Sequence, residues 1–454
     1  MSDRVSGILL CVLVGLAIVL GGSGFGVIGN LLLQLLALPV IFIAILRLAR
    51  ERLDNWTRAG LATVALIHLL PLLQLVPLSP ALWTQMNGRD WIARGYVDLG
   101  IALPSIGISL SPEETLAWWL HLFPATGAFL LGLTVPLRER RWVAWVIVAL
   151  TLVSTVLGIV QVATGYGYLY RITNIGSAVG FFANRNHLAT LLVMAIPLTF
   201  LLLEKRRKPM TGTRLWTAIF SIFALILVML VGILMAGSRA GFGLSLIAIL
   251  LGAATGIRWS RDVARWVPAV AAIALVLAGV AVSTVALDPV TTTQAAVKTE
   301  LQDKRIRAIP ETVALGWKYF PWGSGLGAFD ATFRTSTSDI NLEDYYLNHA
   351  HNDYLETWLT AGVLGVGLIG IILIQYLGLL GRAWRARLAD QQMLSRLGAL
   401  SVGLALVHCA VDYPLRTIAD ATVFGVLAAF IYPAMAGAIR TIPRLPQSRV
   451  TVIE

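Results

Sequence analysis

Apolar runs of about 20 residues recur from one end of this 454-residue chain to the other. A run of that length matches the roughly 30 Å hydrocarbon thickness of a bilayer. Only 13% of residues are charged, against about 25% in ordinary soluble domains. The runs are continuous, not alternating ten-residue strands, so they predict an all-α polytopic membrane protein and not a barrel. Twelve transmembrane helices are expected, near 6–22, 27–47, 60–78, 115–136, 142–163, 187–204, 215–236, 239–257, 266–286, 350–380, 395–411 and 420–438. They read as one integral membrane domain, 1–454, with no soluble module or solenoid repeat. The first run lacks a small-x-small cleavage site and is read as a retained helix, not a signal peptide. Cys11 and Cys409 both lie in apolar segments and read as small buried hydrophobes.

The loops between these segments alternate in charge. One set includes "RLARERLDNWTR", "EKRRKPMTGTR" and "GRAWRAR"; the positive-inside rule places it in the cytoplasm, with both termini. The net charge of +11 then reflects basic loops contacting anionic membrane lipids, with no nucleic-acid partner implied. The opposite set, 79–114, 164–186, 237–239, 287–349 and 412–419, faces outward. Loop 287–349, between helices 9 and 10, is too long for a connector and reads as a periplasmic lid. Within it Ile306, Ile309, Val313, Trp317 and Phe320 recur at three- and four-residue steps, one apolar stripe of a helix laid on the bundle or in the interface. Pro310 suits the first turn of a helix beginning near Ile309. The glycines of "GSGLGAF" (323–329) either let backbone approach a ligand or simply form a turn.

Outward-facing arginines are the informative ones under this topology. Arg185, Arg239, Arg305, Arg307 and Arg416 stand at the outward ends of different segments. Each has a local explanation: snorkelling for Arg185 and Arg239, pairing with Glu311 for Arg307, pairing with Asp412 for Arg416. Together they could instead converge on one anion, since a guanidinium fork matches phosphate geometry. His349 and His351, in "NHAHNDYLETW", would point about 200° apart on a helix, so one face holds only one of them. That spacing is poor for a helical metal site, and no metal is expected. A neutral histidine suits general-base work. His187 and His408, near other outer helix ends, read as hydrogen-bonded structural histidines.

These residues carry a family resemblance. The chain resembles the O-antigen ligase and polymerase superfamily of bacterial envelope glycosyltransferases over about residues 110–435. The most specific element is H-[NSQ]-x9-G-x-x-[GTY], read here as His351, Asn352, Gly362 and Gly365. "ANRNHLA", "GSRAGFGL", "GSGLGAF" and "HCAVDYPLR" look like further blocks. The resemblance implies transfer of a finished O-antigen glycan from undecaprenyl diphosphate to lipid A–core, at the periplasmic face of the inner membrane. It implies a metal-independent, inverting reaction with no cofactor. Arg239, Arg185 and Arg305 would hold the donor diphosphate. His351 would activate the acceptor hydroxyl, with His349 its rival, and the lid would close over the donor. An O-antigen polymerase, a protein O-oligosaccharyltransferase and, in a different class, a lipid-diphosphate transporter are the competing readings. A transporter would carry its charges near the bilayer midplane, whereas these cluster at one surface.

Overall fold

The computed structural model describes residues 2–24, 27–203, 212–256, 293–335, 347–385 and 389–434, with the side chains of 293–305 and 389–392 excluded. The described residues form helices α1 (Asp3–Leu20), α2 (Ile28–Leu48), α3 (Asn55–Leu75), α4 (Pro80–Trp83), α5 (Asp90–Asp98), α6 (Pro112–Thr134), α7 (Leu137–Thr164), α8 (Arg185–Thr199), α9 (Thr213–Ala236) and α10 (Arg239–Gly256). They continue as α11 (Thr293–Lys318), α12 (Phe329–Arg334), α13 (Asp353–Arg385), α14 (Ala389–His408) and α15 (Ile418–Ile431). Among the described residues there is no strand, only a lone bridge between Leu78 and Ile106.

Eight helices are long and apolar enough to cross a membrane: α1, α2, α3, α6, α7, α8 with its 3-10 extension to Leu203, α9 and α13. Shorter apolar helices occupy α10, α14 and α15. The chain is therefore an all-helical, multi-pass membrane protein. Every expected segment coincides with one of these helices except 266–286, which lies outside the described residues.

Local chemistry sets the ends. Ser2 and Asp54 cap α1 and α3 by accepting from Val5 N and Thr57 N, satisfying amides that have no partner within the helix. Pro112 opens α6, with Glu113 and Glu114 in its first turn, where carboxylates favour the helix dipole. Gly165 and Gly237 end α7 and α9 in the left-handed conformation.

Helix α8 is the axis of the bundle, 89% buried across its span, and packs on α7, α9, α10 and α14. Lipid tails are as apolar as leucine, so association here relies on close packing rather than on water exclusion. The α6–α15 contact illustrates this. A Cβ at Gly132 would lie 2.9 Å from Ala429 Cβ, and one at Gly425 would lie 2.6 Å from Ala125 O.

At the end of the bundle opposite the histidines, the buried guanidinium of Arg140 closes two helix termini. Its Nε, Nη2 and Nη1 donate to Val135 O, Leu133 O and Tyr432 O at 3.1, 3.1 and 2.7 Å. These are last-turn and capping carbonyls at the C-terminal ends of α6 and α15, which have no donor within their helices. Arg140→Met keeps the bulk and removes the donors. It is expected to lower stability by about 3 kcal/mol, read as a reduced melting temperature of the purified protein.

The lid segment differs from expectation. Helix α11 begins at Thr293, not near Ile309, and Pro310 lies in its interior. The polar run before Ile306 carries no apolar period, which hid this first half. Ile306, Ile309, Val313 and Trp317 are exposed, whereas Ala308, Thr312, Leu315 and Tyr319 are buried. Most of the apolar stripe thus faces outward, while its end reaches the bundle, where Trp317 and Phe320 pack on Trp358 at 4.9 and 5.5 Å.

Candidate active site

The histidine pair does not lie on a helix. Helix α13 starts at Asp353, and Asn352 caps it: Oδ1 accepts from Leu355 N at 2.9 Å while Nδ2 donates to Ala410 O at 2.8 Å. Asn352 therefore ties the start of α13 to the turn after α14. His351 takes a left-handed φ of 50°, which turns the chain sharply just before the cap. The expected helical separation of the two rings is lost. Both pack on Tyr413, with centroids 4.3 Å (His349) and 4.8 Å (His351) from its ring.

Their acidic partners are different. His349 Nδ1 lies 3.0 Å from Glu356 Oε1, and Ala350 N donates to Glu356 Oε2 at 2.9 Å. Arg416 Nη1 sits 3.0 Å from Glu356 Oε1 as an ion pair without hydrogen-bond alignment, and Nε donates to Asp353 Oδ1 at 3.0 Å. Burial alone would lower the Arg416 pKa, but Glu356 and Asp353 outweigh it and raise it, so this cation is fixed. The expected Arg416–Asp412 pair is replaced by these two contacts. Asp412 instead faces His351 Nδ1 at 3.2 Å and receives the amide of Asn186 from α8.

A cavity of about 970 Å³ opens beside this cluster. His349, His187, Tyr413 and Arg416 line it; His351 does not. Glu113, Glu114 and Asp330 also line it. An ionised carboxylate only accepts, so the Nδ1 of His349 carries the proton shared with Glu356. Its Nε2 is then the basic nitrogen. The arrangement of an imidazole, a fully buried carboxylate behind it and a fixed cation behind that can hold one tautomer and stabilise an imidazolium.

Of the four named arginines whose side chains are described, Arg416 borders this cavity. Arg185 and Arg239 are the first residues of α8 and α10. Those helix starts are neighbours, since a Cβ at Gly241 would lie 2.6 Å from Ala189 Cβ. Arg307 is exposed on α11, and Arg305 lies on the same helix with its side chain outside the described set.

The glycine-rich turn packs closely against protein backbone, and Gly327 also borders the cavity. Gly323, Gly325 and Gly327 all have positive φ, and a Cβ on them would meet Thr360 O, Ser109 and Glu114 O at 2.6 Å, 2.4–2.7 Å and 2.7 Å. Gln74 completes the clasp, accepting from Leu326 N at 2.8 Å and donating to Thr360 O at 3.0 Å. Arg89 reinforces it from the other side, donating to Ile108 O and to Gly323 O. Burial lowers its pKa to about 10, which still leaves it charged at neutral pH.

Two further histidines divide. His408 behaves structurally, its Nδ1 2.8 Å from Thr190 Oγ1. His187 has no hydrogen-bond partner on either ring nitrogen. Glu356, Asp412 and Tyr413 are the functional candidates the sequence reading did not single out. Glu356 had left a signal: a carboxylate at the start of a long apolar segment is a site candidate by default.

The O-Antigen ligase family model matches residues 224–370. Over that segment, less than half of its length, the chain is similar to the O-antigen ligase family. The matched segment runs from within α9 through Arg239, α11 and the histidine pair to the middle of α13. His187, Asp412, Tyr413 and Arg416 come from outside it, so flanking helices complete the cavity. No curated protein matches the chain.

Proposed function

We propose that this protein is an O-antigen ligase that transfers a glycan from undecaprenyl diphosphate to a sugar hydroxyl of lipid A–core. The active site would face the periplasm from the inner membrane, with His349 as the general base. The observation that carries this reading is the His349–Glu356 pair bordering a saccharide-sized cavity at the end of a membrane bundle. His351 matches the family motif, but it is turned from the cavity toward Asp412, so we assign it to holding Tyr413 and α8 in place.

In this scheme the acceptor oxygen attacks the anomeric carbon of the donor glycan. Its proton passes to Nε2 of His349 as the new carbon–oxygen bond forms. The bond from the anomeric carbon to the diphosphate breaks on the opposite face, and its electron pair leaves with a phosphate oxygen. Single displacement inverts the configuration. Glu356 stabilises the imidazolium, and Arg416 keeps Glu356 ionised and in place. Arg185 and Arg239, at the positive ends of two adjacent helices, would hold the departing diphosphate, with Arg305 and Arg307 joining from α11. Preorganised cations of this kind stabilise the charge that develops in the transition state.

A second cavity, about 360 Å³ and mostly apolar, runs between α3, α6, α13, α14 and α15. Trp118, Ile369, Leu406 and Phe424 border it, and Arg416 borders both cavities. It would take the lipid tail of a substrate whose polar end lies beside His349.

Reconstitution with lipid-linked glycan and lipid A–core tests the proposal. The expected product is glycan covalently joined to lipid A–core. Lengthened glycan on the lipid carrier would show a polymerase, and carrier movement without a new glycosidic bond would show a transporter.

A further inference from the structure

His187 is 4% exposed, borders the 970 Å³ cavity, and has no hydrogen-bond partner on Nδ1 or Nε2. A buried imidazole normally pairs both nitrogens. Its ring instead stacks edge-on against Tyr413 at 5.1 Å, and His349 sits on the same tyrosine at 4.3 Å. The two histidines thus flank one aromatic ring at the rim of one cavity. Only His349 has its carboxylate.

The rest of the lining indicates which ligand would complete His187. Asn348 lines the cavity, with Asn174 and Asn184, whose Oδ1 atoms already accept from Arg185 N and Asn186 N; Glu113 and Glu114 add carboxylates, and Asp330 a third that pairs with Arg334. Carboxylates accept hydrogen bonds from hydroxyls and repel phosphate. Side-chain amides and a neutral imidazole each offer a donor and an acceptor, the pairing a sugar hydroxyl requires. Among the described residues the cation on this lining is Arg416, which is committed to Asp353 and Glu356.

We infer that His187, with the amide and carboxylate wall of this cavity, forms the binding subsite for an uncharged face of the acceptor saccharide. The assignment to the acceptor rests on the transferase reading above. His187 binds a hydroxyl near the one that His349 deprotonates, and so sets which acceptor hydroxyl is presented.

The test uses the full-length purified protein in nanodiscs, with His187→Phe and His187→Gln. Phenylalanine keeps the ring packed on Tyr413 and removes both nitrogens; glutamine restores a donor and an acceptor. In the reconstituted transfer assay, His187→Phe should raise the acceptor KM about tenfold, the range for one lost hydrogen bond in a buried site. The donor KM should stay within about twofold, and His187→Gln should recover part of the loss. Unchanged acceptor KM in both variants, or a shift in donor KM alone, overturns the inference.

Saturation-transfer NMR with maltotriose, a neutral hexose trisaccharide, reads the subsite without catalysis. Wild type should show saturation transfer that His187→Phe loses and His187→Gln partly retains. Its absence in wild type, or its persistence in His187→Phe, also overturns the subsite. Trisaccharide binding by a wild-type protein that forms no glycosidic bond would remove the transferase reading and leave the saccharide subsite standing.

Discussion

His349→Ala should lower glycan transfer by about 10³-fold while the protein still inserts, folds and binds donor. General-base catalysis contributes roughly 10²–10⁴ in rate, and this residue is the described histidine that both borders the cavity and holds a buried carboxylate. The fold should survive because His349 precedes α13 and lies outside the described helices. Removing the imidazole does free one side of Glu356, but Arg416 and Ala350 N remain as its partners. Single-turnover transfer at saturating donor and acceptor checks this. A fall smaller than about tenfold would remove His349 from the chemistry.

The second large effect is structural. Gly362 has φ 55° and ψ −143° inside α13, a conformation that only glycine adopts readily. A Cβ there would lie 2.0 Å from Pro321 O and 2.9 Å from Gly323 N. The break in α13 is where the glycine clasp docks: Val363 N donates to Pro321 O, and Gly325 N donates to Thr360 O. Gly362→Ala therefore meets backbone that cannot swing aside, in addition to left-handed strain of about 1–2 kcal/mol. The expected loss is about 3 kcal/mol or more, seen as a large drop in melting temperature and in folded yield. Gly367→Ala on the same helix is the matched control, since nothing lies within 4 Å of its Cβ position. It should leave stability unchanged within about 1 kcal/mol. Equal melting temperatures for the two variants would contradict this account of Gly362.

The sequence carried the membrane helices well because a bilayer imposes one length and one composition on them. Segments such as 142–163 and 215–236 lie within α7 and α9. It carried the lid poorly. Thr293–Arg305 has no apolar period to mark a helix, and of the stripe Ile306, Ile309 and Val313 point outward while Trp317 and Phe320 meet Trp358. The motif was legible as a string but not as physics. Asn352 is a cap and Gly362 a forced break, roles that spacing alone does not reveal. The helical-wheel argument about His349 and His351 failed at its premise, since α13 begins after both. The partners of the site, Glu356 with His349 and Asp412 with His351 and Asn186, are set by side chains meeting across α8, α13 and the Asp412–Arg416 turn. No local pattern encodes such meetings.

The assignment of the base depends on which of two histidines, two residues apart, faces the acceptor. Asparagine at each position separates them, because it tolerates the left-handed backbone of His351 and keeps a polar group beside each carboxylate. The deciding measurement is the single-turnover transfer rate of His349→Asn beside that of His351→Asn, from the same reconstituted donor to the same acceptor. The account predicts a loss of about 10³-fold for His349→Asn and less than about tenfold for His351→Asn. The reverse order would contradict it and return the role of base to His351.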